Sequence, residues 1–322
     1  MSIVRPGKKY NPLVSIVIPV YNGSNFVKDA INSALDQTYK NIEILVINDG
    51  STDNTEEIVK SYGKKVRYFK KENGGVASAL NLGIKKSKGE YISWLSHDDM
   101  YSKVKIHLQI AELRKIDKRL RRKTISYSNY LLVDKNANFL SHTGYHLLHS
   151  AINLTRFPYP LLNGLVNGCT LLIPKDVFTK HGMFDENLPN TQDYELWFKL
   201  FPKCTLIFCK EATVMSRKHN RQGTSIFKST PEYDNLWIDM ISKVTHDQII
   251  NMYESEYIFY CSVFHIVKKA GYKGVARFLQ KKINSFPANM RKDVNLWTDK
   301  YKSLPYRIYN KIQKIKYRIS TQ

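Results

Sequence analysis

The chain has 322 residues, 43% hydrophobic and 24% charged, which allows one large α/β domain with an appendage and favours neither a disordered nor a fibrous class. Fifty Lys and Arg against 28 Asp and Glu leave a net charge of +22, a composition that calls for an anionic partner or surface. No signal peptide, membrane-spanning run, CxxC pair or disulfide-dense pattern is visible, so a cytoplasmic, reducing compartment is expected.

In chain order, LVSIVI (13–18) is an apolar, β-branched run stopped by Pro19, as expected of a parallel strand buried on both faces. IEILVI (42–47) is a second such run. The turn Asn48-Asp49-Gly50-Ser51 follows it, and Ser51 or Asp53 can cap a helix over TDNTEEIVKSY. Strands over 66–69 and 90–95 complete the set, with helical segments of crossover length over 24–35, 52–62 and 76–86. This alternation predicts a doubly wound α/β sheet with its ligand crevice at the carboxyl ends of the strands. Those ends are Pro19-Val20-Tyr21, Asn48-Asp49-Gly50 and Ser96-His97-Asp98-Asp99. Beyond Tyr130 the pattern is less regular, with a strand predicted over 169–173 and a helix over 194–200; after Thr230 it reads as helical and basic, dividing the chain into 1–230 and 231–322.

Adjacent carboxylates at Asp98 and Asp99 repel unless a cation or a hydrogen-bonded ligand lies between them, although an exposed turn accounts for the pair equally well in isolation. Asp49 ends a neighbouring strand and converges on the same crevice, which favours the metal reading. NGGVASALNLG (73–83) opens a helix on two glycines, where backbone N–H groups at Asn73 and Gly74 can approach a phosphate or simply form a flexible turn. Its spacing matches neither the dinucleotide fingerprint nor a Walker loop, which counts against NAD and ATP hydrolysis.

Taken in order, VSIVIPVYNG (14–23), SALDQTY (33–39), EILVINDGSTD (43–53), NGGVASALNLGIKKSKGEYISWLSHDD (73–99) and TQDYELW (191–197) resemble a family 2 glycosyltransferase of the GT-A fold, over roughly the first 220 residues. The resemblance implies a Rossmann-like α/β domain with a helical C-terminal extension. It also implies a nucleotide-diphosphate sugar donor, Mn2+ or Mg2+, and inverting transfer to a glycan or lipid-linked acceptor in cell-surface glycan synthesis. On the matching positions, Asp49 resembles the carboxylate that binds the nucleobase, beside Pro19, Val20 and Tyr21, with Asn73, Gly74 and Asn81 in the same donor site. Asp98 falls near the ribose and Asp99 resembles a metal ligand, with Ser96 where the family often has a further Asp. His219 resembles another ligand to the metal or a diphosphate contact, and Arg217 and Arg221 phosphate partners. Asp193 resembles the catalytic base, with Glu195 as its competitor and Gln192 where relatives often have Glu. Asn167-Gly168-Cys169 and Trp197 fall where relatives place acceptor-site segments.

Near the C-terminus, Ile308, Ile312, Ile315 and Ile319 form an apolar stripe flanked by Arg307, Lys311, Lys314, Lys316 and Arg318. Such a stripe suits an anionic membrane surface, on the inner face for a peripheral cytoplasmic protein, as well as it suits packing on the domain. A nucleotidyltransferase would need a Gly-rich basic loop after the first strand, which PVYNGSNFVKDA (19–30) is not. A nucleic-acid binder rests on charge and on YKSLPYRIYNKIQKIKYR (301–318) alone, and no nucleic-acid partner is expected.

Overall fold

The computed structural model describes residues 10–220, 222, 231–253 and 255–288; the isoleucine stripe and Arg221 lie outside them. The first half alternates β1 (Val14–Val20), α1 (Val27–Leu35), β2 (Ile42–Asp49), α2 (Thr55–Lys60), β3 (Arg67–Lys71), α3 (Gly75–Lys86) and β4 (Tyr91–Trp94). Next come β5 (Met100–Tyr101), α4 (Lys105–Lys115), α5 (Lys118–Arg121), β6 (Thr124–Val133) and β7 (Phe139–His142). Three short helices, α6 (Tyr145–Leu148), α7 (Ala151–Thr155) and α8 (Tyr159–Leu162), lead to β8 (Ile173–Pro174), α9 (Lys175–His181), α10 (Gln192–Leu200) and β9 (Thr205–Arg217). The helices α11 (Pro231–Ser242), α12 (His246–Tyr253), α13 (Glu256–Ala270) and α14 (Lys273–Asn284) end the described chain.

β1 to β4 form the doubly wound, Rossmann-like sheet, parallel in the order β3-β2-β1-β4, with β8 antiparallel beyond β4. All seven residues of β1 are buried, which is why its sequence is apolar without alternation. β1 runs through Pro19 to Val20 instead of stopping at Ile18. The reason lies in the register. Pairing with β4 ends at Val17, whose carbonyl accepts from the Leu95 amide. Pro19 faces the same side two residues on, beyond the last β4 pair, where a missing N–H leaves no acceptor unpaired.

The strand expected over 169–173 begins in a 3-10 turn, Gly168–Thr170, where the Asn167 side chain accepts the Cys169 amide at 2.9 Å. Only Ile173 and Pro174 pair with β4. A second, four-stranded sheet in the order β5-β9-β6-β7 was not anticipated. β6 and β9 run parallel at its centre with irregular register around Ser128 and Asn129, and the first six residues of β6 are all buried, so no period-2 pattern marks the sheet in the sequence. The described part of the C-terminal region, 231–288, is helical as expected. Its apolar faces share one cluster with Tyr145, Leu154, Tyr159, Leu162 and Leu165 from the segment after β7.

α3 lies hard against the sheet, and Gly83 permits that approach: a Cβ there would sit 2.3 Å from Val17 Cγ1. Replacing Gly83 by Val sets a small gain in helix propensity against overpacking of a fixed interface. We expect a net loss of about 1–3 kcal/mol in urea-measured stability, and an unchanged midpoint would contradict this packing.

Candidate active site

The loops after β1 and β2 are stapled to each other. Asn22, in the left-handed region at φ 46°, accepts the Thr52 amide at 2.8 Å on its side-chain oxygen. Ser51 Oγ accepts from the Asn22 amide, Thr55 Oγ1 from Gly23 and Asp53 Oδ2 from Ser24, each at 3.0 Å. Of the two expected caps for α2, Asp53 alone serves its start, accepting the Thr55 amide at 3.1 Å. Burial would raise the Asp53 carboxyl, but hydrogen bonds from Thr55 and Ser24 hold it at about 2. With the loop fixed, Pro19 and Val20 are buried, and Tyr21 is left 49% exposed at the end of β1.

Asp49, buried at the end of β2, is also held from several sides. Its Oδ1 accepts from Lys71 Nζ at 2.7 Å and from the Gly74 amide at 3.1 Å, and its Oδ2 from the Gly75 amide at 2.8 Å. Asn73 Nδ2 donates to the Asp49 carbonyl at 3.0 Å. The amides at the start of α3 therefore hold a carboxylate of the chain itself, which corrects the expectation that they face a phosphate. Lys71 was missed in the sequence because a lysine closing a short strand reads as a solvated end.

Asn81 is also corrected. It is buried, its two Nδ2 protons go to the Phe184 carbonyl at 2.9 Å and Glu186 Oε1 at 2.8 Å, and its Oδ1 accepts the Phe184 amide at 3.0 Å. That side chain ties α3 to the loop before α10 and has no proton left for a donor.

The turn 96–99 is where the chain leaves one sheet for the other, since β5 begins at Met100. Met100 pairs antiparallel with Met215, so the same register two residues on sets Arg217 opposite Asp98. The Arg217 amide donates to Asp99 Oδ1 at 2.8 Å and its Nε to the Asp98 carbonyl at 2.9 Å. Its Nη1 donates to the Lys135 carbonyl at 2.6 Å, its Nη2 pairs with Asp29 at 2.8 Å, and the guanidinium lies 4.4 Å from the Phe26 ring centroid. A guanidinium so committed is structural, which corrects its expected role as a phosphate partner.

Two residues further, His219 Nε2 lies 2.9 Å from Asp98 Oδ2, with its ring tilted against Phe26 at 5.0 Å. Burial, and next the Asp98 charge, push the Asp99 carboxyl well above the usual carboxylate range, although the Arg217 amide, Cys169 and Ser216 pull it back. The donor set fits Mn2+ or Mg2+. Asp98 Oδ2 and His219 Nε2 are hydrogen-bonded to each other, and the same two donors would serve one cation, which would relieve the cost of two adjoining carboxylates. No group of three or more His, Cys, Asp or Glu able to hold a metal occurs among the described residues. Such hard cations typically take one or two carboxylates, with substrate phosphates and water completing the shell. His219 meets Asp98 rather than Asp99, the reverse of the expected division between the two carboxylates.

Asp193 lies in the first turn of α10, half-buried, with Oδ1 accepting from the Tyr194 amide at 2.8 Å. Desolvation pushes its carboxyl up to about 6, against which hydrogen bonding pulls. Glu195 pairs with Lys199 one turn on. Trp197 is 1% exposed and packs on Phe184 and Phe201, so it belongs to the core and offers no face to an acceptor. The segment Asn167-Gly168-Cys169 connects α10 with the acidic turn: the Tyr194 hydroxyl donates to the Val166 carbonyl at 3.2 Å, and Cys169 Sγ lies 3.3 Å from both the Ser96 amide and Ser96 Oγ.

A family model described as glycosyl transferase family 2 matches residues 15–131. An uncharacterised glycosyltransferase of Rickettsia typhi is 47% identical over 264 residues, which cover 82% of this chain and 82% of that one. Another, of Rickettsia bellii, is 48% identical over 82% of this chain, which spans only 38% of that longer relative. A mannosyltransferase from Pyrobaculum calidifontis, solved in complex with GDP-Man and Mn2+, superposes with a TM-score of 0.55 at 15% identity, over 95% of this chain and 85% of its own. That likeness shows a common fold.

Because both Nδ2 protons of Asn81 serve the 184–186 loop, Asn81→Ala should lower stability to urea by about 1–3 kcal/mol, the cost of leaving buried partners unpaired. Undiminished stability would return Asn81 to the list of ligand contacts.

Proposed function

The chain belongs to glycosyl transferase family 2, and from that premise we propose that it moves a sugar from a nucleotide-diphosphate sugar to an acceptor hydroxyl with inversion at the anomeric carbon. The observation that carries this reading is the meeting of Asp98 and His219, 2.9 Å apart at the mouth of the parallel sheet. A hard, oxygen-rich end to a parallel strand suits a diphosphate, and the Mn2+ and GDP-Man of the Pyrobaculum structure accord with it.

On the donor side, Asp49 receives the nucleobase next to the exposed Tyr21. A carboxylate offers about four acceptor positions, and Lys71, Gly74 and Gly75 take three of those on Asp49, leaving one on Oδ2 for a ring N–H. Asp98 and His219, with Asp99 behind them, hold Mn2+ or Mg2+, whose charge offsets that of the diphosphate leaving group. Asp193 takes the proton of the acceptor hydroxyl as its oxygen bonds to the anomeric carbon and the bond to the diphosphate breaks. A carboxyl raised to about 6 is ionised at neutral pH and more basic than an ordinary aspartate.

The acceptor we place in cell-surface glycan synthesis, as a saccharide hydroxyl, free or lipid-linked, met at the cytoplasmic face of the membrane. The net charge of +22 supports an anionic surface as partner. No helix among the described residues is long and apolar enough to cross a membrane.

The test is hydrolysis of a panel of UDP-, GDP- and dTDP-sugars with Mn2+. Asp98→Asn and His219→Ala should abolish the metal-dependent turnover, whereas Asp193→Asn should lower it by about 10²–10⁴-fold and leave donor affinity intact. As Asp193 must be ionised to act, kcat/KM should fall as pH drops through about 6, and this limb should disappear in Asp193→Asn. Turnover indifferent to chelator, or a limb at the ordinary carboxylate pKa, would overturn these assignments. Co-sedimentation with anionic but not neutral vesicles, lost at high salt, checks the membrane surface.

A further inference from the structure

The helix that carries Asp193 does not cap itself. Thr191 precedes it and makes no side-chain cap to its own first turn. The partner comes from α11, 41 residues on. Glu232 Oε1 accepts from the Asn190 amide at 3.1 Å, the Thr191 amide at 2.9 Å and Thr191 Oγ1 at 2.7 Å, and Oε2 accepts from Asn190 Nδ2 at 3.2 Å. Burial opposes ionisation of Glu232, but these bonds hold its carboxyl below the ordinary range.

The next two residues extend the attachment. The Tyr233 hydroxyl donates to the Asn190 carbonyl at 3.1 Å, and its ring stacks on Tyr272 at 5.4 Å and 16°. Asp234 accepts from the Gly274 and Val275 amides, each at 3.0 Å, at the start of α14. Three consecutive residues thus tie the turn before Asp193 to the start of α14.

We infer that Glu232 is a positioning residue for Asp193, which makes the C-terminal helices part of the transfer machinery. The inference rests on the reading of Asp193 as the base. The four bonds land on Asn190 and Thr191, immediately before the turn whose backbone directs the Asp193 carboxylate. Asp193 Oδ1 accepts from the Tyr194 amide, so the carboxylate follows that backbone. Misplacing a base by about 1 Å is enough to cost on the order of 10²-fold in rate.

The experiment uses the full chain and the nucleotide sugar it hydrolyses fastest in the UDP, GDP and dTDP panel. Glu232→Ala should lower kcat by about 10- to 100-fold and leave donor KM unchanged. Glu232→Gln, whose Oε1 still accepts from Asn190 and Thr191, should recover most of that loss. In the Asp193→Asn background, Glu232→Ala should have no further effect, since it acts only through the base. Equal losses in both backgrounds, or a lowered thermal midpoint with kcat intact, would reduce Glu232 to a structural contact. If Asp193→Asn itself leaves kcat unchanged, or the parent chain turns over no nucleotide sugar, the base reading fails and takes this inference with it. Should Glu232→Ala not fold, Thr191→Val removes the shortest of the four bonds and decides between the same outcomes.

Discussion

A guanidinium buried to 3% exposure, that of Arg217, holds the site in place. A charge taken out of water must be paired and hydrogen-bonded, and removing one partner of a buried pair typically costs about 3–5 kcal/mol. Arg217 satisfies this demand by reaching three segments: the acidic turn after β4, α1 through Asp29 and the ring of its N-cap residue Phe26, and the turn after β6 through Lys135. Its backbone amide meanwhile serves Asp99. The two sheets are thereby fastened at the point where Asp98 and His219 meet, and a shift of β9 along β5 would separate them.

Around this fastening, polar residues divide by whether their bonding capacity is spent. Asn81 gives both side-chain protons to the fold, Arg217 is bonded through Nε, Nη1 and Nη2, and Trp197 gives its rings to the core. Asp49 keeps one acceptor position after three hydrogen bonds. Asp98 and Asp193 are the carboxylates whose surroundings leave chemistry to do. Two carboxylates adjoin at 98 and 99, and Asp193 is raised to about 6 by desolvation. Each is rigidly backed, which is what preorganisation asks of a site that binds charge.

The helices after residue 231 illustrate a similar economy in the other direction. Their core is continuous with the segment 145–165, and Glu232, Tyr233 and Asp234 connect two helix starts through one short stretch. A division of the sequence near residue 230 follows composition, whereas the packing crosses it. Burial of aromatic faces from both sides, as in the Tyr194–Trp237 contact at 6.1 Å, leaves no solvent layer there to separate two bodies.

By itself, the sequence determined the parallel sheet, its crossovers and the strand ends at Asp49 and Asp98-Asp99, because fully buried strands leave continuous apolar runs and local turns leave Asn, Asp and Gly. It also determined the helical character of the described residues after 230, through composition. The tertiary structure decided the rest. The second sheet is broken in register and the first six residues of β6 are all buried, so no period marked it. The fates of Asn81, Trp197 and Arg217 turned on partners 13 to 188 residues away that no local pattern names. The choice of Asp98 over Asp99 as the neighbour of His219 came from the antiparallel register of β5 with β9. Glu232 could not be singled out, for an acidic residue in the first turn of a helix is ordinary macrodipole chemistry until another helix start is seen resting on it. Local physics writes elements into sequence at short range, while hydrogen-bond satisfaction in a buried site is settled only when distant segments meet.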